Sequence, residues 1–140
     1  AKDKFRERKS VDGVQITWIG SNFQNNFGRK VEENVAAAEL KIHKLLEASR
    51  DMPIIHELGG EEVAETTLAH MWEMLKRQGR GESGTLLVNG YANILYIRDV
   101  NSVLWAVDCG WHSVNRGWGV GAGSVGFPGR WGGGGRVVSR

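Results

Sequence analysis

One short stretch of the sequence carries the side-chain types of a cysteine nucleophile, Asp108-Cys109-Gly110-Trp111-His112. Such a nucleophile requires a base that generates the thiolate, and a carboxylate can orient that base. The stretch follows a predicted strand rather than opening a helix, whose N-terminus would lower the thiol pKa. Cysteine hydrolases also take their histidine from a distant part of the sequence. We therefore expect Cys109 to be a packing residue in a protein that is not an enzyme, with a cysteine-dependent hydrolase as a less favoured alternative.

The remaining metal-binding and phosphate-binding side chains do not form a recognisable site. The four histidines, His43, His56, His70 and His112, include no i,i+4 pair and no spacing typical of a zinc site. The glycine-rich stretch 117–123 lacks the Lys-Ser/Thr pair and the following helix of a phosphate-binding loop. The sequence therefore predicts neither a metal nor a cofactor.

Glycine and tryptophan are concentrated towards the C-terminal end. Of 20 glycines, ten lie between Gly117 and Gly135, and four of the six tryptophans lie in the last 36 residues. Ordering a glycine-rich chain costs much backbone entropy, about 1–2 kcal/mol per residue, so external contacts are needed to offset it. We expect residues 116–140 to form an arm that packs on a neighbouring chain. The predicted subunit-interface residues are Trp118, Phe127, Arg130, Trp131 and Arg136.

Basic residues are concentrated at both ends of the chain. Residues 1–10 contain five basic and two acidic residues, and residues 109–140 contain four arginines and no acid, although the whole chain carries only +2. The middle must therefore be acidic. We expect residues 1–13 to form a basic arm that contacts DNA or an acidic partner. The predicted contact residues are Lys2, Lys4, Arg6, Arg8 and Lys9.

The same basic ends leave open a second function, that of a nucleic-acid-binding module. Arginines interleaved with Trp111, Trp118 and Trp131 have the chemistry to contact phosphates and to stack on bases. No known nucleic-acid-binding motif accompanies them, and a net charge of +2 is low for that purpose.

Two helices are predicted between the ends. After Gly20, a capping-box spacing at Ser21 predicts the start of a helix that runs to about Arg50. Because glycine weakens a helix, Gly28 leaves open a break there or a later start of the helix near Arg29. Its apolar stripe has helical spacing: Val31, Val35, Ala38, Ile42 and Leu45. Pro53 is expected to end this helix. A second helix is predicted over Glu61–Gln78, ended by Gly79.

Strand-like alternation precedes and follows these helices. The predicted strands are Val14–Ile19, Thr85–Val88, Tyr91–Ile97 and Val103–Val107, with a hairpin turn at Asn89-Gly90. The predicted fold is therefore α+β, with a strand, two helices and an antiparallel meander in a core domain of residues 14–115.

Length and composition are those of one globular domain of 140 residues with 41% hydrophobic residues. No apolar run approaches the roughly 20 residues that span a bilayer, and the first ten residues lack the apolar stretch of a secretory signal. A lone Cys109 cannot form an internal disulfide. We expect a protein of a reducing compartment without a membrane partner.

In its size, in the order of its elements over about residues 14–110 and in its extended ends, the chain resembles the small neck, or tail-completion, proteins of tailed bacteriophages. The elements that carry this resemblance are Val14–Ile19, the helix near 29–50, Glu61–Gln78 and the meander from Thr85 to Val107. The resemblance implies a structural virion protein, assembled in the host cytoplasm, that forms a homo-oligomeric ring between portal and tail. Its implied partners are identical subunits, neighbouring connector and tail proteins, and DNA in the channel.

Overall fold

A computed structural model describes residues 3–126 and 129–140 and confirms the predicted α+β class. Within these ranges the strands are β1 (Lys9–Val11), β2 (Val14–Ile19), β3 (Lys41–Lys44), β4 (Glu65–Thr66), β5 (Asn93–Arg98), β6 (Leu104–His112), β7 (Gly117–Ser124) and β8 (Arg136–Ser139). The helices are α1 (Ser21–Phe27), α2 (Asp51–Leu58), α3 (Glu61–Ala64) and α4 (Leu68–Arg77).

The described strands form one mixed sheet in the order β1-β2-β7-β6-β5-β8-β3. Strands β5, β6 and β7 form an antiparallel meander, whereas β2 and β8 join its two sides by parallel pairing with β7 and β5. β4 pairs with the last residues of β5, beyond the end of β8. An antiparallel meander is thus present, but it lies one strand later along the chain than the sequence predicts.

Helices cover the two faces of the sheet unequally. On the first face, α1 and α4 pack over the strands, and alternate residues of β6 such as Val107 and Cys109 join the same core. On the second face, α2 covers only one part, where Ile54 and Ile55 pack with Leu104 and other residues of β5, β6 and β8. The remainder of the second face, over β7 and the end of β6, has no helix above it among the described residues.

The predicted helix over 29–50 is wrong. α1 ends at Phe27, and residues 29–40 have no regular structure before β3 pairs with β8. Glu32 instead caps a different helix, because its carboxylate accepts hydrogen bonds from the backbone N–H groups of Leu68 (2.9 Å) and Ala69 (2.8 Å). A carboxylate at a helix N-terminus satisfies donors that have no partner within the helix.

The other helix boundaries also differ from the prediction. Pro53 lies in the first turn of α2 rather than ending a helix, which is allowed because first-turn N–H groups need no intrahelical acceptor. The predicted helix Glu61–Gln78 is divided into α3 and α4 by β4. Thr67 caps α4 by accepting a hydrogen bond from the His70 N–H (3.1 Å).

Among the strands, Val14–Ile19 has the predicted bounds, and β5 and β6 overlap two further predictions. Thr85–Val88 is not a strand, so Asn89-Gly90 does not connect a hairpin. The side chain of Asn93 replaces the missing strand pairing, since its Oδ1 accepts from the Leu87 N–H (2.8 Å) and its Nδ2 donates to the Leu87 carbonyl (3.1 Å).

Both expected arms contribute to the fold of the chain itself. β7 lies between β2 and β6, and β8 lies between β5 and β3, so the described parts of segment 116–140 are largely sheet. At the other end, Phe5 is buried, with its ring centroid 5.2 Å from that of Phe23 and 5.1 Å from that of Trp72. The expected boundaries at residues 14 and 116 therefore fall within one continuous sheet.

Candidate functional site

The uncovered part of the second sheet face holds a trough that crosses the strands. Trp18 of β2, Gly119 of β7 and Gly110 of β6 are successive neighbours across the sheet, and Ala92 precedes β5 at the far end. The trough has a volume of about 440 Å³ and is lined by Trp18, Gly90, Ala92, Asp108, Gly110, His112, Asn115 and Gly119. Its floor is backbone, because three consecutive strands carry glycine or alanine there.

An irregularity in β2 places Trp18 at this trough. The register between β2 and β7 shifts between Ile16 and Trp18, so one extra residue lies opposite β7. As a result Ile16 and Ile19 both face the core, whereas Trp18 stays on the opposite face with 52% of its surface exposed. Bulges of this kind commonly redirect a side chain at a functional site.

Glycines of β7 allow the Trp18 ring to lie close to the sheet. A methyl group at Gly119 or at Gly121 would lie 3.4 Å from the nearest atom of the Trp18 ring, and one at Gly20 would lie 2.9 Å from Trp18 Cη2. Any larger side chain would displace the ring. The alternation of glycine with apolar residues in β7 therefore has a structural reason, because Trp118 and Val120 face the core while the glycines face the trough.

Two ionisable side chains lie on either side of the glycine row. A methyl group at Gly119 would lie 2.6 Å from His112 Nε2, and one at Gly121 would lie 3.1 Å from Asp108 Oδ1. Asp108 and His112 are on the same face of β6, with Gly110 between them. The trough thus presents one aromatic ring, one carboxyl and one imidazole over a bare backbone floor.

Burial raises the pKa of the Asp108 carboxyl to about 6, against the opposing effects of its own backbone N–H and the charge of His112. No ion pair is formed by Asp108 within the part of the chain that the structure describes. A carboxylate held partly out of water without a cation is less stable than one in solution. This group therefore gains free energy from any cation that enters the trough.

Cys109 packs in the core, as predicted. Its thiol lies on the opposite face of β6 from Asp108 and His112, because successive residues of a strand point to opposite faces. Burial and the neighbouring Asp108 raise its pKa, and its side chain has no exposed surface. Asp108 and His112 are therefore on the other side of the sheet from the Cys109 thiol, and the three side chains do not form a nucleophilic site.

Trp118 was predicted to lie at the subunit interface, and the structure places it elsewhere. It is fully buried in the core of its own chain, and its indole donates to the Gln78 carbonyl (2.9 Å). No surface of Trp118 is left for a neighbouring subunit. The buried position follows from the central place of β7 in the sheet, between β2 and β6.

The other expected interface residues have different surroundings. Trp131 is partly buried against the α2 side of the sheet, and its indole donates to Asp51 Oδ1 (2.7 Å). Arg136 donates to the Thr85 carbonyl, whereas Arg130 is exposed. Phe127 lies outside the described residues.

The basic side chains near the N-terminus are exposed on an anchored segment. Lys4, Arg6, Arg8 and Lys9 all face solvent, and Lys2 lies outside the described residues. The segment itself is fixed by Phe5 and by pairing of β1 with β2. These cations are available to a partner, but the segment that carries them is part of the fold.

Asp51 forms a second polar site beneath the C-terminal strands. Tyr96 Oη donates to its Oδ1 (2.8 Å) in addition to Trp131, and burial raises its pKa although both hydrogen bonds favour the ionised form. Burial and the nearby Asp51 charge raise the pKa of Tyr96. With both donors directed at one buried carboxyl, this site connects α2, β5 and Trp131.

No cluster of three or more metal-binding side chains occurs among residues 3–126 and 129–140. The helices of this described part are too short or too polar to cross a membrane. Comparison with known proteins gave no match, whether to a family model, to a curated protein or to a solved structure. The trough was missed at the sequence level, although glycine at every second position of residues 117–123 is the pattern of a strand with one bare face.

Proposed function

We propose that this chain is a non-enzymatic structural subunit that assembles with identical copies into a ring, as in the connector between portal and tail of a tailed phage. The observation that carries the proposal is the uncovered part of the sheet, where Trp18 is 52% exposed beside the glycine floor. Half-exposed tryptophans at the edge of a concave surface are typical of protein interfaces.

The surroundings of Cys109 support a structural rather than a catalytic function. A nucleophilic thiol must reach its substrate, and this one is fully buried with a raised pKa. Asp108 and His112 are left as a carboxyl and an imidazole without an adjacent nucleophile. A carboxyl and an imidazole without a nucleophile can bind a partner through hydrogen bonds and charge, with no reaction.

Nucleic-acid binding through tryptophan stacking is weakened as an alternative. Of the three tryptophans that suggested it, Trp118 is fully buried and Trp131 packs against the α2 side of the sheet. Trp111 packs edge-on against Trp118, with ring centroids 5.6 Å apart. DNA in the channel of a ring would instead meet exposed cations such as Lys4 and Arg6, which contact phosphates without base readout.

The assembly proposal is tested by sedimentation velocity of the wild type and two variants. Trp18→Ala should shift the distribution towards monomer, because a half-exposed aromatic anchor at the interface is lost. Val103→Ala is the matched control, since Val103 is 53% exposed but lies before the other end of β6. Equal sedimentation of the wild type and both variants would contradict the use of the trough as a contact surface.

The virion location is tested separately, by immunogold labelling of tailed particles whose genome encodes the chain. Label at the junction of head and tail is expected, together with neighbouring connector and tail proteins as contacts. Particles that carry no label at the junction and lack the chain would refute the phage part of the proposal without bearing on self-assembly.

A further inference from the structure

The trough combines an open aromatic face with a carboxyl that lacks a cation. One face of the Trp18 ring lies over glycine backbone, which leaves the other directed away from the sheet with half of the residue exposed. The ion pairs of the described residues, Lys30–Glu32, Lys76–Glu73 and Arg98 with Glu61 and Glu65, leave Asp108 out. A cation is the ligand that satisfies both features, by stacking on the ring and by pairing with the carboxyl.

The shape of the trough favours a planar cation. Gly119, Gly110 and Ala92 leave a floor without large side chains, and the carbonyl oxygens of Gly90 and Tyr91 lie 4.0 Å from the position of a methyl group at Gly110. A guanidinium group is flat, stacks on aromatic rings and donates several hydrogen bonds in one plane. An ammonium group makes no such stack, and a phosphate would be repelled by Asp108.

We propose that the trough is a binding site for the guanidinium group of an arginine side chain from a second copy of this chain. The group stacks on the exposed face of Trp18 and donates to the Asp108 carboxylate. Asn115 and Gly90 line the same space, and their carbonyl oxygens are the acceptors proposed for its remaining hydrogen bonds.

Charge complementarity identifies a second copy as the source. The chain exposes arginines such as Arg6, Arg8 and Arg130, and none of these three forms an ion pair with another described residue. Head-to-tail contacts in a ring join two different patches of the same protein, so an exposed arginine of one copy can reach the Asp108 carboxyl in the trough of the next. The inference rests on the proposed assembly, to which it adds the chemistry of one contact.

The effect of burial on Asp108 is consistent with this ligand. Burial raises the pKa of the free carboxyl, whereas His112, the other titratable side chain of the trough, lowers it when charged. A bound guanidinium would restore the ionised form at neutral pH. Binding should therefore be stronger above pH 6 than below it.

The first test measures binding of a single arginine side chain to the 140-residue chain. N-acetyl-arginine amide is titrated against protein with nitrogen-15-labelled indole groups, and the Trp18 indole signal is assigned from Trp18→Phe. The expected result is a saturable shift of the Trp18 signal. N-acetyl-citrulline amide, which has nearly the same shape but no charge, should shift it at least about tenfold less at equal concentration.

The second part tests the role of Asp108 with matched variants. Asp108→Asn keeps the shape of the side chain and should weaken arginine binding about tenfold or more. Glu57→Gln removes an exposed acid elsewhere and should leave binding unchanged. If citrulline amide binds as well as arginine amide, or if Asp108→Asn binds normally, the guanidinium site is refuted.

The source of the arginine is tested by the mass of the assembly with and without saturating arginine amide. Loss of the assembly in the presence of arginine amide, but not of citrulline amide, supports a second copy as the source. Binding to Trp18 with an intact assembly would overturn that source and assign the site to another protein. A monomeric wild type that still binds arginine amide would refute the proposed assembly but retain the guanidinium site, so the two failures are distinguishable.

Discussion

The indole of Trp131 donates a 2.7 Å hydrogen bond to Asp51 Oδ1, although 80 residues separate the two in sequence. Asp51 is the first residue of α2, and Trp131 forms an isolated bridge with Ser49 just before that helix. Tyr96 of β5 donates to the same oxygen. This contact fixes Trp131, which precedes β8, to the second face of the sheet.

Loss of this contact should destabilise the fold of the monomer. Trp131→Phe keeps an aromatic ring but removes the donor, so Asp51 is left with Tyr96 alone. We expect the free energy of unfolding in urea to fall by about 1–3 kcal/mol. Arg130→Ala, at the exposed neighbouring position, is the control and should change it little. An unchanged stability of Trp131→Phe would show that the hydrogen bond contributes nothing.

Phe5 should be as important to stability as a residue of the central core. Its side chain is 6% exposed and contacts Phe23 and Trp72. Phe5→Ala is expected to lower the free energy of unfolding by about 3–5 kcal/mol, and deletion of residues 1–10 should destabilise at least as much. Lys4→Ala, at the exposed preceding residue, should be close to neutral. A truncated chain with an unchanged thermal midpoint would restore the interpretation of this segment as a free arm.

Asp108 should make stability depend on pH. Its pKa is raised to about 6 in the folded chain, so between about pH 4 and 6 the folded state binds more protons than the unfolded state. Stability from this group is therefore present at low pH and is lost as pH rises through 6. In the unassembled chain, where no guanidinium pairs with this carboxyl, the stability gained by Asp108→Asn relative to wild type should be larger at pH 8 than at pH 4, by up to about 3 kcal/mol. Urea unfolding at the two pH values measures this difference, and an equal difference at both would contradict the raised pKa.

Cys109 should behave as a core residue. Because its side chain is fully buried, modification by a thiol reagent requires unfolding. The labelling rate of the wild type should therefore rise with urea in parallel with the unfolded fraction, and Cys109→Ala should retain assembly. Rapid labelling of the folded protein, or loss of function in a folded Cys109→Ala variant, would revive the cysteine-dependent alternative.

Local patterns predicted the class of the fold and some of its elements. Val14–Ile19 alternates over six residues, and this signal was sufficient for the bounds of β2. The apolar stripe of residues 31–45 has a helical period, but the structure of this segment is decided by distant contacts. Glu32 is bound to the start of α4, and Ile42 lies in a strand paired with Val138. The spacing of apolar residues along the chain shows which of them can share a face, but it does not show which distant segment they contact.

The trough depends on pairings that a local pattern cannot supply. Glycines of β7 form its floor only because β7 lies between β2 and β6, and Trp18 lies 101 residues before Gly119 in the chain. From their number alone, the same glycines predicted an arm that packs on a neighbouring chain. Alternation of glycine with Trp118, Val120 and Ala122 is the signal of a buried strand, whereas the glycine count alone indicates a segment whose ordering costs much backbone entropy.

Self-assembly is tested by native mass spectrometry of the purified 140-residue chain. A ring of identical subunits predicts a single dominant species whose mass is an integer multiple, greater than one, of 15.5 kDa, the mass of one chain. Trp18→Ala should convert this species to monomer under the same conditions, whereas Val103→Ala should not. A wild-type spectrum that contains only monomer at every protein concentration would contradict self-assembly.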